Sequence, residues 1–388
     1  MARLARTEVF DPHDVAVVHV MNRVVRRCFL LGQDTVSGKN FDHRKTWIED
    51  ELKRLAASMG IDLLCFACLS NHFHLVLRSR PDVVTQWSDE EVAWRWCRLC
   101  NAKSHARSQS GREPTACELA MITHCPERLQ EIRLRLSDIS WWMRILCQKI
   151  AIRANAEDGE VGKFWQSRYR AVRLLDEEAV LACAAYVDLN PIRAGIAQSL
   201  EGSNFTSVQR RIEMAAQAKT ADPELDPAST LGEQTPNSQG TELATQAIPT
   251  PDLTARSNSF LCPLEIDEQL DAVGPCANPA GSRCSDKGFL SMSLFSYLEL
   301  LDWTAGHWVS GTQDVSPPRE VTSRSSPPPL ARLKIREDVW CQLVNDFGRL
   351  FSVMAGQPHR IDEHRGRLHQ RRYRVPKRTR QLLSGTPS

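Results

Sequence analysis

Apolar positions along this chain switch between a period of two and a period near 3.6, and the switches mark its elements. Val15, Val17, His19 and Met21 share one side of an alternating run, which predicts a strand over Val15 to Met21. Asp42 to Met59 follows with Ile48, Leu52, Leu55 and Met59 on one helical face and Gly60 as a C-cap. Leu63 to Leu69 and Leu75 to Leu77 read as paired strands with a turn near Ser70-Asn71. Ile139 to Asn155 has helical spacing, with Trp142, Ile145 and Ile150 apolar and Arg144, Lys149 and Arg153 on other faces. Phe164 to Leu174 reads as a strand. In Asp176 to Gly195, Asp176 suits an N-cap, Glu177 and Glu178 suit the positive end of a helix dipole, and Pro191 closes the helix. Its apolar stripe is Val180, Cys183, Ala184 and Val187. Strand, helix, two strands, helix, strand, helix predicts an α+β domain with a ferredoxin-like antiparallel sheet and helices on one side.

Other stretches break this pattern. Residues 81 to 136 read as an insertion, because Asn101 to Pro114 is poor in apolar residues, although Ser88 to Leu99 suits a helix carrying Trp94 and Trp96. From Ala216 to Asn258 Pro, Ser, Thr, Gln and Glu dominate, a composition that cannot bury enough apolar surface to order itself. The expected organisation is a domain over 1–212, a disordered linker over 213–288 and a small helical module over 289–388. In that module apolar periodicity returns at Phe289 to Trp303 and at Val339 to Met354, either side of the proline-rich Ser316 to Pro329. His359 to Arg380 holds nine Arg or Lys against two acids, which suits either phosphate neutralisation or a solvated tail, and Tyr373 within it could stack on a base.

Composition changes this picture little. The chain has 388 residues, 42% of them hydrophobic, enough for a real core, and its net charge of +2 means that any affinity for nucleic acid must come from local patches. Thirteen cysteines without regular spacing argue against a secreted disulfide framework. With no signal-peptide core and no membrane-length apolar run, a soluble cytoplasmic protein without a membrane partner is expected. Cys65-Cys68 and Cys97-Cys100 invite a zinc reading. Residues i and i+3 of a strand face opposite ways, however, so buried free thiols are preferred.

The candidate chemistry is concentrated at His72-Phe73-His74, Tyr186 and Asn190. Two histidines at i and i+2 of a strand project the same way and make half of a metal site, or else two polar residues on a half-buried sheet. Tyr186 and Asn190 are neighbours one helical turn apart beside the small residues Ala179 and Ala182, which leaves a phenol accessible, or else packed on the sheet. HVMNR at His19 to Arg23, LSNHFHLVL at Leu69 to Leu77, FWQSRYRAV at Phe164 to Val172 and AYVDLNPIRAG at Ala185 to Gly195 occur in the order seen in single-tyrosine HUH transposases. The chain most resembles their REP-associated tyrosine transposase branch, whose usual pattern is close to HxxNR, PNHxHLL, WQxRF and YxxxNPxRAG. The likeness covers Val15 to about Ile212. Ser70 stands where proline is usual and Tyr169 where phenylalanine is usual.

That resemblance implies a metal-dependent DNA transposase or nickase. Tyr186 would be the nucleophile that cleaves and rejoins single-stranded or hairpin DNA through a 5′-phosphotyrosine, and Asn190 a third ligand beside His72 and His74. A divalent ion, Mg or Mn, suits a mixed nitrogen and oxygen shell. Arg23, Arg168 and Arg170 are candidate phosphate contacts, whereas Trp165 and Gln166 read as structural. The chain would act as a monomer or homodimer. Two rival readings remain: a hairpin-binding protein that does not cleave, and a hydrolase using the histidines alone, which lacks a carboxylate cluster to serve as general base.

Overall fold

A computed structural model describes residues 11, 13–25, 28–35, 37–100, 113–221, 259–267, 274–309, 327–367 and 375–384. The chain runs β1 (Val17–Arg23), α1 (His43–Ser58), β2 (Ile61–Cys68), β3 (His72–Ser79), α2 (Pro81–Val84), α3 (Asp89–Cys100), α4 (Ala116–Thr123), α5 (Pro126–Ser137), α6 (Ile139–Asp158), β4 (Arg170–Leu174), α7 (Glu177–Asp188), α8 (Asn190–Arg193) and α9 (Ser207–Ala221). After residues outside the described set come α10 (Leu294–Val309), α11 (Pro328–Arg332), α12 (Glu337–Leu350), β5 (Met354–Ala355), α13 (Pro358–Arg367) and α14 (Lys377–Ser384). The fold is mixed α+β around one sheet of order β2-β3-β1-β4-β5, antiparallel throughout except for the β4–β5 pair.

The alternation of β3 decides what lies on each face. Phe73, Leu75 and Leu77 turn into a core shared with Ile48, Leu52 and Leu55 of α1 and with Trp142, Leu146 and Ile150 of α6. His72, His74 and Val76 turn the other way, and Val76 packs with Val180, Cys183, Ala184 and Val187 of α7. Helices therefore cover both faces, not one as the element order suggested. Every residue of β2 is buried, the expected state of a strand covered on both sides. α7 is buried almost all round, from Ala179 to Ala185, because it lies between the sheet and α12.

Two further expectations need correction. Residues 81–136 are not a polar excursion: Val83, Val92, Trp96, Leu129, Ile132 and Leu136 join the core of α1 and α6, and only the stretch 101–112 lies outside the described residues. Nor does the packing divide at 212. Tyr297, Leu300 and Leu301 of α10 and Val339, Trp340, Leu343 and Phe347 of α12 belong to the same apolar cluster as Leu64, Val76 and α7. Within the expected linker, α9 continues to Ala221, and Cys262 and Ser285 dock on β2 through Cys262 N to Leu63 O at 3.0 Å and Ser285 Oγ to Asp62 at 2.8 Å. The remainder, 222–258, lies outside the described residues, as do 310–326 and Tyr373. The physical reason is that α12 is strongly one-sided and the second face of the sheet needs a cover. Cys65 and Cys68 fall in clusters on opposite faces, as their strand spacing requires. Among the described residues no helix is long and apolar enough to cross a membrane.

Candidate active site

The site is assembled where α7 crosses the histidine face of the sheet. Antiparallel pairing of β1 and β3 sets Arg23 opposite His72, Met21 opposite His74 and His19 opposite Val76, so His19, His72 and His74 point to one side. Asp176 starts α7 by accepting a hydrogen bond from Ala179 N at 2.9 Å, and Tyr186 lies in its last turn. The Tyr186 ring meets His74 edge-on, with centroids 5.4 Å apart, and His19 at 5.9 Å. His19 stacks on His74, their planes 9° apart and His19 Nε2 2.9 Å from His74 Nδ1. The His72 ring lies 4.9 Å from that of His74, and its Nδ1 is 2.6 Å from Asn71 Oδ1.

These contacts set the protonation of the rings. Burial, reinforced by the Arg170 charge, lowers the His19 pKa to about 3; burial, with Arg23 and Arg193, lowers that of His72 to about 4. Burial and the neighbouring imidazoles hold His74 well below the ordinary histidine value. All three are neutral at pH 7, the form that can donate a lone pair. The amide oxygen of Asn71 accepts from His72 Nδ1, which frees Nε2. If His74 Nδ1 donates to His19, His74 Nε2 is freed too, and that atom is buried with no hydrogen-bond partner. Asn190, 3% exposed at the start of α8, has its Nδ2 equally unpartnered, and exchanging the two ends of the amide would present Oδ1 there. Two imidazole nitrogens and an amide oxygen suit a divalent ion that completes its shell with phosphate or water oxygens. Among the described residues no three His, Cys, Asp or Glu side chains form a metal-binding group, so the fit is that of a partial shell.

The cations fall in two places. Arg170 lines the same pocket as His19, His74 and Tyr186, and Arg23 acts on both His72 and His74. Arg168 instead lines a groove with Asn22, Trp141 and Trp165, away from the tyrosine pocket. Sequence reasoning missed His19, although it lies on the same strand face and in the HVMNR block. It also missed Arg193, whose guanidinium lies 4.3 Å over the Tyr186 ring and donates to Asn345 O at 2.8 Å. Phe347 and Gly348 of α12 were out of reach of any local signal. Phe347 lies 5.6 Å from the Tyr186 ring, and a Cβ at Gly348 would come within 3.2 Å of the phenolic oxygen, so glycine leaves the space beside it.

The chain matches no protein-family model and no curated protein. Among solved structures it is similar to a REP-associated tyrosine transposase bound to a REP hairpin, at 12% identity and a TM-score of 0.26, over 59% of this chain and 93% of that one. A likeness this distant fixes neither the fold nor the activity of this chain.

Proposed function

We propose that this protein cleaves and rejoins single-stranded, hairpin-bearing DNA through Tyr186. The observation that carries the reading is the packing of the Tyr186 ring against His74, whose Nε2 is buried without a hydrogen-bond partner, beside His72, whose Nδ1 meets Asn71 Oδ1. The strand order β2-β3-β1-β4 with antiparallel neighbours is that of a split β-α-β-β-α-β unit, which agrees with a ferredoxin-like sheet and with the motif order of single-tyrosine HUH transposases. His72, His74 and Asn190 would hold the Mg or Mn ion, which when bound polarises the scissile phosphate. Arg23 and Arg170 bind and orient that phosphate. The Tyr186 oxygen attacks phosphorus as its proton passes to solvent, the bond to the 3′ oxygen breaks, and that oxygen takes a proton from solvent and leaves as a free 3′-hydroxyl. Rejoining reverses these bonds, so no nucleotide cofactor is consumed.

The test is incubation of the full chain with Mn and hairpin oligonucleotides carrying single-stranded arms, followed by a denaturing gel. A covalent protein–DNA band with wild type and none with Tyr186→Phe is expected; a 5′-phosphate product without an adduct would overturn the reading. A second reading, hairpin binding without cleavage, is favoured by one observation: Phe347 and Gly348 lie directly against the tyrosine. It predicts tight binding with no adduct under any metal.

A further inference from the structure

The open groove that takes in Arg168 is not part of the tyrosine pocket. It is lined by Asn22, Trp141, Arg144, Trp165, Arg168 and Tyr169 among others and encloses about 480 Å³, within the roughly 300–1,000 Å³ typical of small-molecule pockets. Trp141 and Trp165 are half-buried there, while Arg144 and Arg168 are exposed. Trp165 is held rigidly. Its Nε1 donates to Cys147 O at 2.8 Å, and Phe73 and Phe164 meet its ring edge-on at 5.4 and 4.9 Å. Trp141 carries the guanidinium groups of Arg135 and Arg144 at 4.4 and 4.8 Å from its ring. Half-buried indoles among exposed cations suit a flat, apolar-faced ligand attached to negative charge.

The backbone explains why a groove opens at this end of β1. Met21 pairs with Arg170, and the next bridge joins Val24 to Trp165, so three steps along β1 are matched by five on its partner. The surplus forms a bulge at Gln166 to Tyr169, which is why the strand expected from Phe164 begins only at Arg170. The bulge turns Gln166, Ser167 and Arg168 outward and remains tied to β1 by Gln166 N to Arg23 O at 2.8 Å. Arg23 is the strand partner of His72, and Asn22, on the groove side, is the partner of Phe73. The groove and the histidine centre therefore lie one residue apart along β1, on opposite faces of the sheet.

We infer that this groove takes one unpaired nucleobase of the bound DNA strand, stacked on Trp165, with Arg144 and Arg168 facing the flanking phosphates. The inference rests on the DNA-processing reading above and adds to it a subsite outside the metal centre. Stacking on an aromatic side chain is worth roughly 1–3 kcal/mol per base, a factor of about 5 to 150 in affinity, and tolerates any base.

The experiment measures binding of the full chain, in EDTA so that no cleavage intervenes, to a hairpin whose single-stranded arms carry one abasic site at each position in turn. One position should lose about 5-fold or more with wild type. In Trp165→Leu the intact oligonucleotide should bind as weakly as that abasic one, and the penalty at that position should vanish, while Trp165→Phe retains most of it. Arg144→Gln should weaken all oligonucleotides alike and reduce the salt dependence. Independently of any variant, 5-iodouracil placed at the sensitive position should photocrosslink to the Phe164–Arg170 or Trp141–Cys147 peptide. A penalty that persists in Trp165→Leu, the absence of any sensitive position, or a crosslink elsewhere overturns the subsite. Binding and adduct formation without groove dependence would overturn it alone, whereas failure to bind any hairpin would take the functional reading with it.

Discussion

At the scale of single residues, Tyr186, Asn190 and His19 should fail in three distinguishable ways. Only a phenol can form the covalent link, so Tyr186→Phe should keep its affinity for Mn yet give no adduct at any concentration. With His72, His74 and Asn190 as the proposed donors, Asn190→Ala should lower Mn affinity, read by calorimetry, while high Mn restores part of the cleavage. An unchanged affinity would mean that Asn190 serves only to end α7 ahead of Pro191. His19 would touch the proposed metal site only through His74, whose Nδ1 it meets at 2.9 Å. His19→Ala should weaken Mn affinity by roughly 10- to 100-fold, the usual cost of removing the partner that orients a metal-binding imidazole. Wild-type affinity in that variant would reduce His19 to packing. That His72 and His74 share a face of the sheet was legible, because strand spacing fixes which way they point. His19 was visible on the same face, but nothing in its spacing shows that it would stack on His74, since that contact depends on how β1 pairs with β3.

At the scale of elements, the helix that carries Tyr186 is held at each end by a carboxylate, half-buried at Asp176 and buried at Asp188. Asp176 receives Ala179 N and, from the far side, Gln357 N at 2.6 Å; Gly356 beside it has φ of +154°, and a Cβ there would come within 2.6 Å of the carboxylate. Burial raises the Asp176 pKa to about 6, above its value in the unfolded chain. A raised carboxyl pKa contributes stability that is fully present below about pH 4 and is lost as pH rises through 6. Asp176→Asn has no such titration. Relative to that variant, wild type should lose up to about 3 kcal/mol between pH 4 and 7, whatever constant offset the lost acceptor adds. Denaturant midpoints that run parallel for the two proteins over this range would refute the assignment. At the other end Asp188 accepts from Ser207 Oγ, Val208 N and Tyr297 Oη, joining α7 to α9 and α10. Asp188→Ala takes the carboxylate from Val208 N and Tyr297 Oη, while Ser207 Oγ keeps Phe66 O, and should cost on the order of 3 kcal/mol of stability. α1, α6 and α7 could be read from their stripes and caps. The face that each covers could not, because an apolar stripe says that a helix is buried and not on which side of a sheet.

At the scale of the whole molecule, the sequence pattern hid how much of the chain serves one core. The low-complexity stretch invited a boundary near Ile212, and the expectation of a self-sufficient first domain followed from composition alone. Yet His72, His74 and Val76 face α7, and the outer side of α7 is closed by α12, with Trp340 fully buried and its Nε1 donating to Thr304 Oγ1 of α10 at 2.9 Å. The edge of the sheet is sealed in the same way: Arg78 and Arg80 flank the buried Asp62 and donate to backbone oxygens of Gly288, Lys287 and Pro275. A chain ended at Ile212 would expose the apolar side of α7, together with Leu64 and Leu174, and would strip those arginines of their carbonyl partners. Burying a large apolar side chain is worth about 1.5–3 kcal/mol, so uncovering several removes a free energy comparable to the 5–15 kcal/mol that a whole domain usually has in reserve. The 1–212 fragment should therefore be insoluble or molten, and adding residues 259–388 as a separate chain during refolding should recover soluble complex. A soluble 1–212 fragment that unfolds cooperatively would show that α10 and α12 are dispensable to the sheet, and that their packing over Tyr186 serves the site rather than the fold.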